Sequence, residues 1–211
     1  MEAFFTEWVR QEESLVSSLL AAILSNDLAH QSRLVSLAVA HIEAFYLHKS
    51  RLAEQDVVQA FYPRYLTPFE RTFLWLGGFK PSLAFKFIPP EPASSDTIMH
   101  LRRSILAEER DMSKQMAALQ ESLAARELLE AIRIFDHRRN GDNSMERAAT
   151  EVGDGLRELL ASADRLRLCT LRAIMEALVI KPADVAIFVA NAMKFHLNVR
   201  RFGLQCDNRG D

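Results

Sequence analysis

Glycine and proline, the two residues that most readily interrupt helices and strands, are crowded into one stretch of this 211-residue chain. Six of the seven prolines and two of the seven glycines lie between residues 63 and 92. Long runs on either side contain almost none of either residue. A β-sandwich or barrel needs a turn signal about every 8–12 residues, so this distribution argues against both. It predicts an all-α protein with one tight corner at 63–92.

Outside that corner, apolar residues recur every three or four positions, which predicts amphipathic helices packed as a bundle. We expect three long helices and several short ones in a single domain over 1–203. Helical patterns cover 2–25, 28–52, 94–135, 145–179 and 182–202, and shorter ones begin at Asp56, at residue 70 (through 76) and at Pro81. Gly203 is expected to cap the last helix, and 204–211 to form a disordered tail.

The corner itself has the residues of a helix start and a helix stop. Thr67, Pro68 and Glu70 fit an N-cap, a first helical position and the N3 partner of a capping box. Gly77 and Gly78 can end that helix, because glycine adopts the left-handed cap without steric cost. The prolines at 89, 90 and 92 predict a stiff linker.

Overall charge and composition exclude several classes of protein. The net charge is −2 and the pI about 6.3, so no basic field attracts nucleic acid, and direct DNA binding is not expected. No uncharged apolar run is long enough to span a membrane, and the first residues lack the pattern of a signal peptide. Two cysteines, Cys169 and Cys206, are too few for a disulfide framework, which favours a reducing intracellular compartment.

The motifs of common enzymes are missing from the sequence. It has no phosphate-binding loop, no dinucleotide fingerprint, no nucleophile elbow and no paired-histidine zinc motif. The run from Asp136 to Asn143 is similar to a calcium loop, but Arg138 and Arg147 occupy positions that need oxygen ligands. A polar turn between helices is therefore expected there, and no catalysis is expected.

Histidines are the remaining candidates for ligand binding. His41 and His48 lie seven residues apart on one predicted helical face, where they could share a ligand or simply pack. His196 lies on the last helix, with Met193 one turn away, and its imidazole could ligate haem iron. The alternative for His196 is a satisfied residue of the core.

The last helix also carries scattered positive charge. Lys194, Arg200 and Arg201 stand among apolar residues, a weak pattern that occurs in helices binding calmodulin or anionic lipid. The alternative is an ordinary solvated face.

Several stretches, which together cover most of the chain, resemble the plant seed-dormancy-control domain, which occurs in delay-of-germination proteins and in TGA-type bZIP factors. Two of them are the corner run Thr67-Pro-Phe-Glu-Arg-Thr-Phe-Leu-Trp-Leu-Gly-Gly-Phe-Lys-Pro-Ser82 and the run Phe4-Phe-Thr-Glu-Trp8-Val-Arg-Gln11. The others are Tyr46-Leu-His-Lys49 with Ala53, Asp56 and Val57, the run 163–172, and Pro182 with Phe195-His-Leu197. The residues that match the family signature are Trp8, Gln11, Thr67, Glu70, Arg71, Trp75, Gly77, Gly78, Phe79 and Pro81. No basic region or leucine zipper precedes the match, so the chain resembles a stand-alone delay-of-germination protein.

The resemblance implies a regulator without catalysis, found in the nucleus and cytoplasm. It implies a role in seed dormancy and abscisic-acid signalling through protein partners, among them type 2C protein phosphatases. A related branch acts in pollen-aperture formation, and a homodimer is a further expectation.

The resemblance also implies ligands. The family binds haem through two histidines near its C-terminus; His196 matches the first, whereas Arg200 replaces the second. Arginine stays protonated and has no lone pair to donate to iron, so the resemblance implies a one-histidine site at most. In the TGA branch the bundle holds a fatty acyl chain, and the thirteen phenylalanines here are compatible with an apolar pocket.

The signature residues also have a structural interpretation, in which the corner is a folding device. Glu70 and Arg71 would serve as cap and ion-pair groups. Trp75 would bury its ring against the long helices and require a partner for its N–H. Gly77 and Gly78 would permit a sharp turn, with Phe79 filling the corner.

Overall fold

The all-α prediction is confirmed by the computed structural model, which describes residues 1–136 and 144–207, with side chains for 1–122 and 150–207. Five helices have 23 or more residues, and three short helices and one 3₁₀ helix lie between the second and third of them. The elements are α1 (Glu2–Leu24), α2 (Leu28–Gln55), α3 (Val57–Phe61), α4 (Pro68–Arg71), the 3₁₀ helix (Pro81–Phe87), α5 (Pro90–Ala93), α6 (Asp96–Asp136), α7 (Ser144–Leu178) and α8 (Pro182–Asp207).

The predicted helix starts are confirmed by their caps. Asp27 accepts a hydrogen bond from the His30 backbone N–H at 2.9 Å, and Asp56 caps α3 in the same way. Thr67 and Glu70 form a complete capping box, in which each side chain bonds the other's backbone N–H. These local hydrogen bonds satisfy orphan donors at the helix ends and so position each start independently of the rest of the fold.

The predicted helix over 70–76 is wrong, because α4 ends at Arg71. The chain then forms a tight turn in which the backbone N–H groups of Trp75 and Gly78 each donate to the other's carbonyl. Leu76 and Gly77 both have positive φ, at 46° and 71°. Local propensity favoured a longer helix, but the carbonyls of Trp75 and Leu76 bond to a side chain of α7 instead of to a helical turn.

Three smaller predictions also need correction. The 3₁₀ helix from Pro81 has seven residues rather than a single turn, and residues 90–93 form the short helix α5 where a linker was predicted. Gly203 does not end the last helix, since α8 continues to Asp207. Residues 204–207 of the predicted tail are thus helical, and 208–211 lie outside the described residues.

The main core lies where α1, α2 and α8 pack on α7 and on the start of α6. Helices α1 and α8 lie side by side, and α6 pairs with α7. The most deeply buried members of this cluster are Leu19, Ala38, Ile174, Ala186, Phe188 and Val189. Glu12 on α1 is an exception among these apolar residues, because its charged side chain is only 3% exposed. That exception leads to the candidate site.

Candidate functional site

An apolar cavity of about 230 Å³ lies between α1, α2, the corner, the 3₁₀ helix, α7 and α8. Aromatic side chains make up much of its wall: Phe5, Trp8, Phe45, Tyr46, Tyr65, Phe79, Phe87 and Phe195. Five charged or imidazole side chains that are not exposed interrupt that lining, and the exposed Lys80 adds a sixth: Glu12, Lys49, Glu70, Arg167 and His196 are the five. The cavity therefore combines an apolar volume with a small number of polar groups, which is the usual make-up of a ligand site.

The best-ordered polar pair of the wall joins α1 to α8. Nδ1 of His196 lies 2.6 Å from Oε2 of Glu12, and the Glu12 side chain is 3% exposed. Burial by itself lowers the pKa of His196, but the carboxylates of Glu12 and Glu70 outweigh it, and the net pKa is raised. The imidazole is thus held in one orientation by a buried carboxylate.

A second pair connects the corner to α8. Glu70 accepts the Thr67 backbone N–H at 2.8 Å, and its two oxygens each lie 3.3 Å from NH1 of Arg200. The guanidinium of Arg200 also lies over the Phe5 ring, 4.8 Å from its centroid. Glu70 therefore serves both as helix cap and as ion-pair partner, as the structural interpretation of the signature expected.

A third cluster lies deeper and joins α2 to α7. One carboxylate oxygen of Asp164 accepts from Nζ of Lys49 at 2.8 Å and from NH1 of Arg167 at 2.5 Å. The Lys49 and Arg167 side chains are 1% and 6% exposed. Burial lowers the pKa of Lys49 to about 8, although Asp164 acts in the opposite direction. Two buried cations share one anion in this cluster.

Arg167 also holds the corner in place. Its Nε donates to the Phe79 carbonyl at 2.8 Å, and its NH2 donates to the carbonyls of Trp75 and Leu76. The same guanidinium lies over the Trp75 ring, 5.5 Å from its centroid. Nε1 of Trp75 donates to Oγ of Ser113 at 3.0 Å. The partner that the Trp75 N–H was predicted to need is therefore a serine of α6, and the ring is half-buried.

The signature residues separate into two groups in space. Those that line the cavity are Trp8, Glu70, Gly77, Gly78, Phe79 and Pro81, together with His196. Four lie away from it: Gln11 is exposed and bonds Glu7, Thr67 caps α4, Trp75 bonds Ser113, and Arg71 donates to the Leu66 carbonyl and stacks on Tyr62. Arg71 was expected to form an ion pair but bonds backbone oxygens instead.

The sequence analysis assigned no role in a site to Glu12, Lys49 or Arg167. Each is a charged residue at a position whose helical spacing places it on the buried face of its helix, beside apolar residues such as Trp8 and Leu166. A charge in register with an apolar stripe is the signal that could have identified them.

The two histidines of α2 do not share a site. His41 stacks on Trp8 with ring centroids 4.5 Å apart, whereas His48 stacks on Phe4 at 3.6 Å. Nε2 of His41 is buried without a hydrogen-bond partner among the described residues. Burial, reinforced by the charge of His196, lowers the pKa of His41 to about 4, so its imidazole is neutral.

The described residues do not fit a two-histidine haem site, as the replacement at position 200 led us to expect. Arg200 stands where the second histidine would be, and Glu70 and the Phe5 ring engage its guanidinium. Nδ1 of His196 is taken by Glu12, so Nε2 is the one ring nitrogen that could reach a ligand. Ligation through His196 alone stays a prediction.

The described residues contain neither a metal-binding cluster nor a membrane-spanning helix. No group of three or more histidine, cysteine or acidic side chains is placed to hold a metal ion there. None of the helices in that part of the chain is both long and apolar enough to cross a bilayer. The calcium-like run from Asp136 falls on residues 137–143 and beyond, which lie outside the described side chains.

Comparison with known proteins agrees with the resemblance. Residues 14–90 match the family model described as seed dormancy control. Protein DOG1-like 4 of Arabidopsis thaliana is 28% identical over 95% of this chain and 90% of its own length, and protein ZW2 of the same plant is 27% identical over 96% and 95%. The wheat transcription factor HBP-1b(c38) is 31% identical over 89% of this chain and 60% of its own length. The predicted resemblance to the seed-dormancy-control family is thereby confirmed.

Proposed function

Because this chain belongs to the seed-dormancy-control family, we propose that it is a non-enzymatic plant regulator that acts through protein partners in seed dormancy and abscisic-acid signalling. The observation that carries the proposal is how the charged residues around the cavity are used. Glu12 and the signature residue Glu70 form ion pairs between elements, and Arg167 donates hydrogen bonds to three carbonyls of the corner, so these charged side chains serve the scaffold. A helical scaffold with such a signature suits recognition of partners better than catalysis.

The proposed partners are type 2C protein phosphatases. Phe202 and Phe73 are 52% and 36% exposed, and both pack at an angle against the ring of Phe69, so they form an aromatic surface beside α4. Exposed aromatic rings of this kind are enriched at protein interfaces. We expect a purified type 2C phosphatase to be captured by the wild-type chain and to lose activity when the chain is added.

Two substitutions sharpen this experiment. Phe202→Ala should weaken capture at least tenfold, because it removes the most exposed ring of that surface. Leu47→Ala is the matched control, since Leu47 on α2 is 55% exposed and should bind like the wild type. Failure of the wild-type chain to bind any type 2C phosphatase would contradict the proposed partner, and equal loss in both variants would contradict the proposed surface.

A second candidate function is that of a small-ligand sensor holding haem or a fatty acyl chain. The apolar cavity and the oriented imidazole of His196 favour it. Haem binding through His196 should give a Soret band on titration that His196→Ala removes. Mass spectrometry of the purified chain would identify an extracted fatty acid. An absorption spectrum that does not change on haem titration excludes haem binding. A mass spectrum without a fatty acid excludes a co-purified lipid.

Three further aspects of the proposal concern cellular context. We propose a nuclear and cytoplasmic location, supported by relatives whose names denote transcription factors, and fluorescence microscopy of a tagged chain tests it. A homodimer is proposed as the assembly and is tested by light scattering. A developmental role such as pollen-aperture formation is the alternative process, and loss-of-function plants would separate it from seed dormancy.

A further inference from the structure

The polar groups of the cavity wall that lack an internal partner are mainly hydrogen-bond donors. The Lys49 ammonium has three N–H groups, but among the described residues it makes one hydrogen bond, to Asp164. Tyr46 and Tyr65 line the same cavity, and no residue in the described ranges bonds either hydroxyl. A cavity that presents unused donors favours a ligand that brings acceptors, because a buried polar group without a partner is costly.

The charges at this end of the cavity lead to the same conclusion. Lys49 and Arg167 share the single carboxylate of Asp164, so the cluster carries one excess positive charge in a dehydrated position. Arg167 donates hydrogen bonds to Asp164 and to three backbone carbonyls of the corner. Lys49 donates one of its three N–H groups to Asp164, so two N–H groups have no acceptor among the described residues. An uncompensated buried charge costs several kcal/mol, and an anion beside Lys49 would remove that cost.

The remaining wall indicates the body of the ligand. The Phe45 ring is tilted by 55° and 41° against the rings of Phe5 and Trp8, which are nearly parallel to each other, and the three centroids lie 5.0–6.3 Å apart. Such an aromatic wall accommodates a further ring, either offset-stacked or edge-on. The cavity volume of about 230 Å³ is below the range of about 300–1,000 Å³ that drug-sized ligands occupy. A compact ring system fits these walls better than an extended chain.

We propose that the cavity is a binding site for a small organic monocarboxylate with an aromatic or alicyclic body, whose carboxylate pairs with the ammonium of Lys49 and whose ring lies among Phe5, Trp8 and Phe45. The proposed anchor, Lys49, is a different residue from the iron-ligand candidate His196, although both line this cavity. This binding site also goes beyond the proposed function, because the chain could bind a phosphatase with the cavity empty.

The test compares three probes on the wild-type full chain by isothermal titration. The probes are 2-naphthoate, its neutral counterpart 2-naphthylmethanol, and decanoate as a chain-like acid. We expect 2-naphthoate to bind at least tenfold more tightly than 2-naphthylmethanol and more tightly than decanoate. No binding of 2-naphthoate, or equal binding of the acid and the alcohol, overturns the carboxylate site. Tighter binding of decanoate than of 2-naphthoate overturns the proposal that the ligand has a compact ring system.

Two variants then test whether the ammonium of Lys49 binds the carboxylate. Lys49→Met removes the ammonium but leaves the Asp164–Arg167 pair, and it should abolish the tenfold preference for the acid over the alcohol. Lys86→Met is the matched control, because Lys86 is exposed on the 3₁₀ helix and does not line the cavity. A preserved preference in Lys49→Met would overturn the role of Lys49. If Lys49→Met does not fold, the comparison of the three probes on the wild-type chain still tests whether the cavity prefers a carboxylate.

Discussion

The contact between His196 and Glu12 shows how a single buried charge changes the role of a residue. Helical spacing predicted that His196 is either a core residue or a haem ligand. In the structure, Oε2 of Glu12 lies 2.6 Å from Nδ1 of His196 and holds the ring in one orientation. Water is largely excluded there, so the attraction is stronger than at a surface. The same residue type at 41, stacked on Trp8 with no carboxylate beside it, has its pKa moved in the opposite direction.

Glu12→Gln tests the origin of the raised pKa of His196. The amide can still accept the imidazole N–H but carries no charge, so the pKa of His196 should fall, since burial, which lowers it, then meets less opposition. In the wild type the pair stabilises the fold fully below about pH 6.5 and loses this contribution as pH rises through the raised pKa. Imidazole NMR titration measures the shift, and an unmoved pKa would rule out Glu12 as its cause.

His41→Phe should stabilise the protein in mild acid. The pKa of His41 is about 4 in the fold against 6.5 for the ordinary group, so the unfolded chain binds the extra proton and stability falls as pH drops from about 6.5 towards 4. Phenylalanine keeps the stacking on Trp8 and removes the unpaired Nε2, a gain of about 1–3 kcal/mol. Urea unfolding at pH 5 and 7 provides the measurement.

The matched control for that substitution lies on the same helix. His48→Phe retains a ring against Phe4, so its free energy of unfolding should keep the pH dependence of the wild type. If His41→Phe showed an unchanged slope between pH 4 and 6.5, His41 would not be the group that binds the proton on unfolding.

At the scale of elements, the close approach of α8 to the start of α4 depends on one glycine. A Cβ on Gly203 would lie 2.2 Å from Oγ1 of Thr67, the oxygen that caps α4. Glycine inside a helix costs about 1 kcal/mol relative to alanine. The helix therefore forgoes some intrinsic stability to let the two elements touch, and Gly203 acts in packing where the sequence predicted a helix stop.

Gly203→Ala tests which of these two effects is larger. Helix propensity alone predicts a gain of about 1 kcal/mol. The clash with Thr67 should outweigh that gain, because separating α8 from α4 also strains the Glu70–Arg200 pair, and we expect a net loss of about 1–3 kcal/mol. The exposed Gln205, replaced by alanine, is the control and should change little. A stabilised Gly203→Ala protein in urea unfolding would show that the contact can relax.

At the scale of the whole molecule, one side chain joins segments far apart in sequence. Arg167 on α7 bonds the carbonyls of Trp75, Leu76 and Phe79, which precede it by 88 to 92 residues. After α4 ends, the backbone-to-backbone hydrogen bonds of residues 72–78 are all local: Thr72, Phe73 and Leu74 donate to carbonyls three residues back, and Trp75 and Gly78 bond each other. The shape of the corner therefore depends on the docking of α7.

Arg167→Met should destabilise the whole protein. The substitution leaves buried carbonyls without donors and removes a partner of Asp164, for which we expect a loss of about 3–5 kcal/mol. Arg165→Met, at an exposed position on the same helix, should stay within about 0.5 kcal/mol of the wild type. Chemical unfolding compares the two variants, and similar stabilities would mean that the corner folds without this contact.

The sequence by itself determined the class of fold, the family and the places where helices begin. Caps at Asp27, Asp56 and Thr67, and apolar repeats of three and four, act within a few residues and could therefore be predicted. The end of α4, the burial of Glu12 and the shared anion of Lys49 and Arg167 could not. Each depends on a partner 90 or more residues away, so only tertiary packing, which sets the distance and the exclusion of water, decided them.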